Sequence, residues 1–282
     1  MRIMILGASG YLGRKMTQYL KDAGHELTGV FRTEPEGVEH EKIKYISADI
    51  DVIVGELHRN KYECIVNCAT VYERQGTMLH EVVDTNVIFA LRVLNCAVEC
   101  GVDKFVTLDT SLPRDLNLYS FTKKQFAEFG EYYSKRYGIA FVNILLEMFY
   151  GEDEPESRFL VGCCKKMLSG ERLLLTEGYQ KRDIIYIGDA CRAIKLLIEI
   201  PIVGFHNVPL GSGTAVSIRN IIEYMHQVIG SESVLDFGAI PMRTNEPNCV
   251  ADMTILKNMG FEPQYSWREG ISYMCRKIKE DI

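Results

Sequence analysis

The first thirteen residues spell a buried strand running straight into a glycine turn: Ile3-Met4-Ile5-Leu6, then Gly7-Ala8-Ser9-Gly10-Tyr11-Leu12-Gly13. Tyr11, Leu12, Met16, Tyr19, Leu20 and Ala23 follow at helical spacing, and Gly24 stops them. A strand that ends on glycines and opens a helix is the context in which such a turn binds a dinucleotide. Glycine lets the backbone approach a pyrophosphate, and the helix N-terminus offers free N–H groups and a partial positive charge. Gly7, Ser9, Gly10, Tyr11, Leu12 and Gly13 are therefore candidate cofactor contacts.

Strand and helix signals then alternate. Glu26–Phe31, Lys44–Ser47, Cys64–Cys68, Lys104–Leu108 and Ala140–Leu146 read as strands, and helices are expected over 86–100 and 119–137. Continuous apolar strands between helices predict an α/β fold with a doubly wound, parallel, Rossmann-type sheet covered on both faces. After Tyr150 the rhythm changes at Gly151-Glu152-Asp153-Glu154-Pro155. The predicted division is 1–150 plus about 183–208 for the dinucleotide-binding domain, and 151–182 plus about 209–282 for a smaller, mostly helical substrate lobe.

A net charge of −6 argues against a nucleic-acid surface. Met1–Leu6 is too short for a signal peptide's apolar region, and no segment approaches the roughly 20 apolar residues of a membrane span. Nine cysteines, an odd number scattered through apolar runs, fit reduced thiols and predict a cytoplasmic protein. Cys96 and Cys100 share a helix face and Cys163-Cys164 are adjacent, but neither pair has metal-ligand company along the chain. The six histidines are dispersed, so no metal is expected.

Tyr119 and Lys123 stand four apart at the start of a predicted helix and share one face. A Tyr titrates near pKa ~10 and is a poor proton donor at neutral pH, but a neighbouring ammonium favours the phenolate and makes acid–base work feasible. The second strand adds a cofactor discriminator. Where an acidic residue would hold the ribose 2′-hydroxyl of NAD, the chain reads Gly29-Val30-Phe31-Arg32-Thr33. A guanidinium at Arg32 suits a 2′-phosphate, so NADP(H) is favoured over NAD(H).

With its G-x-x-G-x-x-G turn and the Tyr119/Lys123 pair, the chain resembles the extended short-chain dehydrogenase/reductases that act on nucleotide sugars. Asp49-Ile50 resembles the pair that meets the adenine. Asn67-Cys68-Ala69-Thr70 resembles the cofactor-lining end of the fourth strand, with Ala69 and Thr70 as contacts. Arg182-Asp183-Ile184-Ile185-Tyr186-Ile187-Gly188-Asp189 resembles the block where the chain re-enters the main domain. The resemblance implies a catalytic unit of Thr110, Tyr119 and Lys123, with Ser111 in reserve for Thr110. Thr110 would position a carbonyl, Tyr119 transfer a proton, and Lys123 hold the nicotinamide ribose.

The resemblance also narrows the reaction. Family 4,6-dehydratases carry Asp-Glu after the Thr, whereas this chain has Ser111-Leu112. Family 4-epimerases keep NAD tightly bound, whereas Arg32 suggests a dissociable NADP(H). The segment Asp109–Phe126 and the stretch Gly238-Ala239-Ile240-Pro241-Met242-Arg243 are similar to reductases that finish CDP-linked 3,6-dideoxyhexoses such as paratose or abequose. The expected activity is NADPH-dependent reduction of a nucleotide-linked 4-keto-6-deoxysugar. A 4-epimerase is the alternative, and a non-catalytic NADP-binding sensor is the reading from another class. Arg182 and Arg243 match family arginines that hold the diphosphate, with Arg158 and Phe159 as further candidate substrate contacts. Two departures stand out: Met148 replaces the family Asn, and Glu152 the family Pro. A homodimer through the helices 86–100 and 119–137 is expected, with Phe89, Val93, Phe126 and Phe129 offering apolar area, some of which must face the sheet.

Overall fold

The computed structural model describes residues 1–32, 43–74, 76–242 and 247–281. The chain divides into two compact units, 1–145 with 191–208 and 146–190 with 209–282.

In the first unit the elements run β1 (Arg2–Leu6), α1 (Tyr11–Asp22), β2 (Glu26–Phe31), β3 (Ile43–Ser47), α2 (Ile50–Arg59), β4 (Cys64–Asn67), α3 (Leu79–Val83), a π-helical turn (Asp84–Phe89), α4 (Ala90–Glu99), β5 (Lys104–Thr110), α5 (Leu118–Tyr137) and β6 (Ala140–Leu146). The seven-stranded sheet has the order β10-β6-β5-β4-β1-β2-β3, where β10 is Phe205–Leu210. β1 pairs in parallel with β2 and with β4, and β2 with β3 and β4 with β5 are parallel too. β1 and β4 are buried almost throughout and β5 throughout. Both faces must therefore be covered, which accounts for continuous apolar strands rather than alternating ones. Phe105 and Phe141 stack at 5.5 Å beneath Phe126, which meets both rings edge-on. Glycine is needed at position 130 for the same packing, since a Cβ there would collide with the Phe141 ring.

The helix expected over 86–100 begins earlier and is not uniform: α3, the π-turn and α4 run without a break. The wider turn falls at Asn86, a buried polar residue with hydrogen bonds to make on several sides. Two of the apolar residues expected on a dimer face point elsewhere. Val93 and Phe126 are core residues, Phe89 packs partly against that core, and Phe129 is 39% exposed.

In the second unit, β7 (Met148–Tyr150) pairs with β9 (Lys181–Tyr186), and β9 with β11 (Ala215–Ser217). This pairing moves the unit boundary from the predicted 183 to 191: β9 belongs to its own three-stranded sheet, and α7 (Ile187–Glu199) carries the chain back. Around it lie α6 (Phe159–Leu168), β8 (Leu173–Leu175), α8 (Ile218–Ile229), β12 (Leu235–Phe237), α9 (Thr254–Asn258) and α10 (Trp267–Glu280). The acidic residues of the Arg182–Asp189 block hold backbone. Buried Asp183 accepts from Ser212 N at 2.7 Å, Gly213 N at 2.9 Å and Ala251 N at 3.1 Å. Asp189 accepts from Gln264 N at 2.9 Å and Tyr265 N at 3.0 Å. No described helix is long and apolar enough to cross a membrane.

Candidate active site

The strand order of the first unit reverses at β1, which has β2 on one side and β4 on the other. Ligands of doubly wound sheets bind outside the carboxyl ends of the strands at such a reversal. The glycine turn leaves β1 there, Arg32 leaves β2, Asp49 and Ile50 follow β3, Ala69 and Thr70 follow β4, and Thr110 closes β5.

The three glycines of the turn are not equivalent. Gly7 has a φ of 74°, a conformation side chains disfavour, and a Cβ on it would lie 2.7 Å from Ala69 N. A Cβ on Gly13 would collide with the Gly7 carbonyl, so this glycine seats α1 against the turn. Gly10 is different: it is exposed, has an ordinary φ of −71°, and a Cβ would meet only Gly7 O at 3.3 Å. The chain itself hardly requires Gly10 to be bare. An anion approaching the uncapped N-terminus of α1 does require it, and in this respect the turn fits a pyrophosphate. Arg32 is exposed at the end of β2, as a 2′-phosphate partner must be. Asp49 also serves the fold, because its Oδ1 accepts from Asp51 N at 2.8 Å and caps α2.

α5 starts where a reciprocal cap fixes it. Asn117 Oδ1 accepts from Ser120 N at 2.8 Å, and Ser120 Oγ accepts from Asn117 N at 3.3 Å. The first two turns then carry Tyr119, half-buried with its ring 4.7 Å from that of Tyr72, and Lys123, which is buried. Burial, opposed by Asp109 and Cys68 and aided slightly by Lys124, draws the Lys123 ammonium down to about 8. A lysine so placed can give up and regain a proton near neutral pH, which an exposed lysine does not.

Lys124 secures the end of β5 to this helix. Its Nζ donates to Asp109 Oδ2 at 3.1 Å and to the Thr110 carbonyl, while Asn143 Nδ2 reaches the same carboxylate at 2.9 Å. Asp109 Oδ1 accepts from Thr110 N at 2.6 Å, and Thr110 Oγ1 accepts from Leu112 N at 3.2 Å. Thr110 is thus held by Asp109 and Leu112 along the chain and by Lys124 of α5. Asn86 does comparable work on the other side. Its Oδ1 accepts from Val71 N at 2.9 Å and from Thr70 Oγ1 at 3.4 Å, and its Nδ2 donates to Val71 O at 2.9 Å and Thr122 Oγ1 at 3.1 Å. Sequence reasoning singles out neither Asn86 nor the Asp109–Lys124 pair. A signal for Asn86 exists: Ala90, Val93, Leu94 and Ala97 continue its helix face into the core, so a polar residue there needs partners.

The candidate substrate residues lie in the second unit. Arg158 precedes α6 without capping it and donates from Nε to the buried carboxylate of Glu154 at 2.6 Å, with its guanidinium carbon 5.3 Å from the Phe149 ring centre. Part of its capacity is therefore committed within the unit. Phe159 beside it is 43% exposed. Arg182 donates from Nη1 to Pro247 O at 2.5 Å and Lys181 O at 2.9 Å. Arg243 lies outside the described residues. Glu152, in place of the family Pro, accepts from Tyr186 OH at 3.0 Å. The expectation that no metal-ligand set exists holds along the chain but not in space: His58, Cys96 and Cys100 come together between α2 and α4.

Known proteins resemble the chain along nearly its whole length. The chain is 29% identical to the CDP-abequose synthase of Salmonella typhimurium, over 98% of each chain. Its fold superposes on a UDP-glucose 4-epimerase from Thermotoga maritima solved with UDP-glucose, with a TM-score of 0.88 at 18% identity, covering 100% of this chain and 99% of that one. It also superposes on a UDP-glucuronic acid 4-epimerase from Bacillus cereus solved with UDP-glucuronic acid and NAD, with a TM-score of 0.87 at 21% identity and full coverage of both. At those identities the structural likenesses speak for the fold. Residues 3–208, well over half of the 282, match the NAD dependent epimerase/dehydratase family, and with the glycine turn at the sheet reversal and the Tyr119/Lys123 helix beside it, the chain belongs to that family.

Proposed function

We propose that the protein reduces the C4 ketone of a nucleotide-linked 4-keto-6-deoxysugar with NADPH. The observation that carries this reading is the joint fixing of Thr110, Tyr119 and Lys123: the first at the end of β5, the others on the opening turns of α5, with Lys124 joining the two elements. The dinucleotide, when bound, supplies the hydride. Tyr119 gives its proton to the carbonyl oxygen as negative charge develops there, and Thr110 Oγ1 holds that oxygen in register. Lys123 grips the nicotinamide ribose and keeps the phenol acidic. The Gly7–Gly13 turn receives the pyrophosphate, Arg32 the 2′-phosphate, Asp49 and Ile50 the adenine side, and Ala69 and Thr70 line the nicotinamide side. Arg182 and Arg243 bind the diphosphate of the substrate by their planar donor forks, with Arg158 and Phe159 as further substrate contacts.

Kinship with CDP-abequose synthases along nearly the whole chain supports reduction, as does the absence of an Asp-Glu pair after Thr110. The likeness to epimerase structures solved with nucleotide sugars supports the substrate class and keeps 4-epimerisation as the second reading. The test is NADPH oxidation against a panel of nucleotide-linked 4-ketosugars. Net oxidation with one of them supports the reductase. Interconversion of sugar nucleotides without net NADPH use supports the epimerase. Tight NADPH binding with no turnover on any member supports a sensor.

A further inference from the structure

On the helical layer of the first unit, three soft ligand atoms from two elements converge. Cys96 and Cys100 lie four apart at the end of α4 and face the same way, with their sulfurs 3.9 Å apart. α2 packs beside α4, and its last turn brings His58 Nδ1 to 3.5 Å from Cys100 Sγ. All three ligand atoms lie within 4.8 Å of one another. We propose that His58, Cys96 and Cys100 form a binding site for a thiophilic divalent cation of the zinc class, completed by water.

The spacing supports coordination. A tetrahedral ion with Zn–S bonds of about 2.3 Å and Zn–N bonds of about 2.0 Å needs sulfurs about 3.8 Å apart, and sulfur and nitrogen about 3.5 Å apart. The Cys96–Cys100 separation of 3.9 Å and the Cys100–His58 separation of 3.5 Å meet this, and a side-chain rotation of His58, whose ring nitrogen lies within 4.8 Å of Cys96 Sγ, completes the set. Thiol hydrogen bonds alone explain the cluster less well, because S–H is a weak donor and only one of the three separations is short for it.

The electrostatics agree. The C-cap residues of α2 and α4 are Asn60 and Cys100, each shortly before the start of a strand, β4 and β5, so the cluster lies toward the amino ends of these strands, opposite the glycine turn. Helix C-termini carry partial negative charge and favour a cation. His58 is exposed, Cys100 is half-buried and Cys96 is only 3% exposed, which gives an ion a route in and a dry floor. Binding must displace one proton from each thiol, so affinity falls as pH falls. Three protein ligands, two of them thiolates, leave the bound site neutral, with the fourth position for water.

The test uses the full chain, stripped of metal with a chelator and kept reduced. Zn²⁺ is titrated in competition with a chromophoric chelator, and Co²⁺ is titrated separately to read its thiolate charge-transfer absorption. One equivalent of Zn²⁺ and a two-thiolate Co²⁺ spectrum are expected. Cys100→Ser should abolish the thiolate pair, and His58→Gln should weaken Zn²⁺ by about tenfold or more. His58 is exposed, so its variant keeps the fold, which metal-free melting checks. Absence of stoichiometric Zn²⁺ binding to the unmodified chain overturns the proposal. So does binding that both variants retain unchanged, since the ion would then sit on other cysteines.

Discussion

Asn86 Nδ2 donates to Thr122 Oγ1 at 3.1 Å, tying the π-helical turn to the stretch of α5 that carries Tyr119 and Lys123. Thr122 Oγ1 in turn donates to the Tyr119 carbonyl at 2.9 Å. One buried amide thus links the loop after β4, through both backbone groups of Val71, to the helix of the candidate acid.

Asn86→Ala leaves the Val71 N–H and C=O without their partner in a part-buried setting, where an unmet group costs at most about 1–3 kcal/mol. We expect a lowered melting temperature and slower turnover. Asn86→Asp keeps the acceptor for Val71 N, loses both donated bonds, and should fall between. Thermal melts with steady-state rates on the three proteins check the order, and an Asn86→Ala variant as stable as the parent contradicts it.

The two outer roles of the glycine turn separate by mutation. Gly10→Val should fold with little change in melting temperature yet lose most of its dinucleotide affinity, because the side chain fills the approach to α1 rather than the core. Gly13→Ala should be damaged in folding itself, since its Cβ meets the Gly7 carbonyl. Melting curves and NADPH fluorescence titrations distinguish them. A Gly10→Val protein that binds NADPH normally removes the turn from the cofactor site.

Arg32→Ala should weaken NADPH by roughly tenfold or more while leaving NADH nearly unchanged, as expected of one charge-assisted phosphate contact worth about 1.5–3 kcal/mol. Equal affinities of the two cofactors for the unmodified protein contradict the assignment.

Lys123 gives a stability prediction with a definite sign. Its folded pKa of about 8 lies below the ordinary 10.5. The unfolded chain therefore binds more protons between those values, and stability rises with pH across that window. Above it both states are neutral and the cost vanishes; below about 8 the full cost of the buried charge is present. Lys123→Met should accordingly raise the melting temperature of the cofactor-free protein at pH 7, with the gain shrinking toward pH 10, while NADPH binding and turnover fall. A variant that melts lower at pH 7 contradicts the buried, uncompensated ammonium.

Much of the first unit is legible in the sequence because its signals are local. The β1 turn, the 3.6-residue spacing of α1, and Gly138 closing α5 at a φ of 79° all declare themselves in short windows. What escapes depends on which side chains meet. Asp109 and Lys124 look like ordinary strand and helix residues until the fold brings them to 3.1 Å. His58 is 38 positions from Cys96, so no spacing rule along the chain joins them. Hydrophobicity alone puts Val93 and Phe126 on a dimer face, because it does not say which side of a helix meets the sheet. The boundary at 191 rather than 183 is likewise a pairing fact, set by β9 choosing β7 and β11.

Of the residues expected on a homodimer face, Phe129 keeps its place and new ones join it. Ile88, Phe129, Tyr132 and Tyr137 are the exposed large apolar side chains of the π-turn and α5. Phe129→Glu with Tyr132→Glu should convert a dimer to a monomer by light scattering without lowering the melting temperature of the monomer. A single-chain mass for the unmodified protein at micromolar concentration contradicts the dimer.

The central claim is that Tyr119 is the proton donor of a ketone reduction, and Tyr119→Phe removes that donor while keeping the ring against Tyr72. The measurement is the rate of NADPH oxidation by Tyr119→Phe on a nucleotide-linked 4-keto-6-deoxysugar that the unmodified protein reduces, with NADPH affinity measured in parallel. Turnover lower by about two to four decades is expected, with affinity nearly intact. Turnover close to that of the unmodified protein contradicts it.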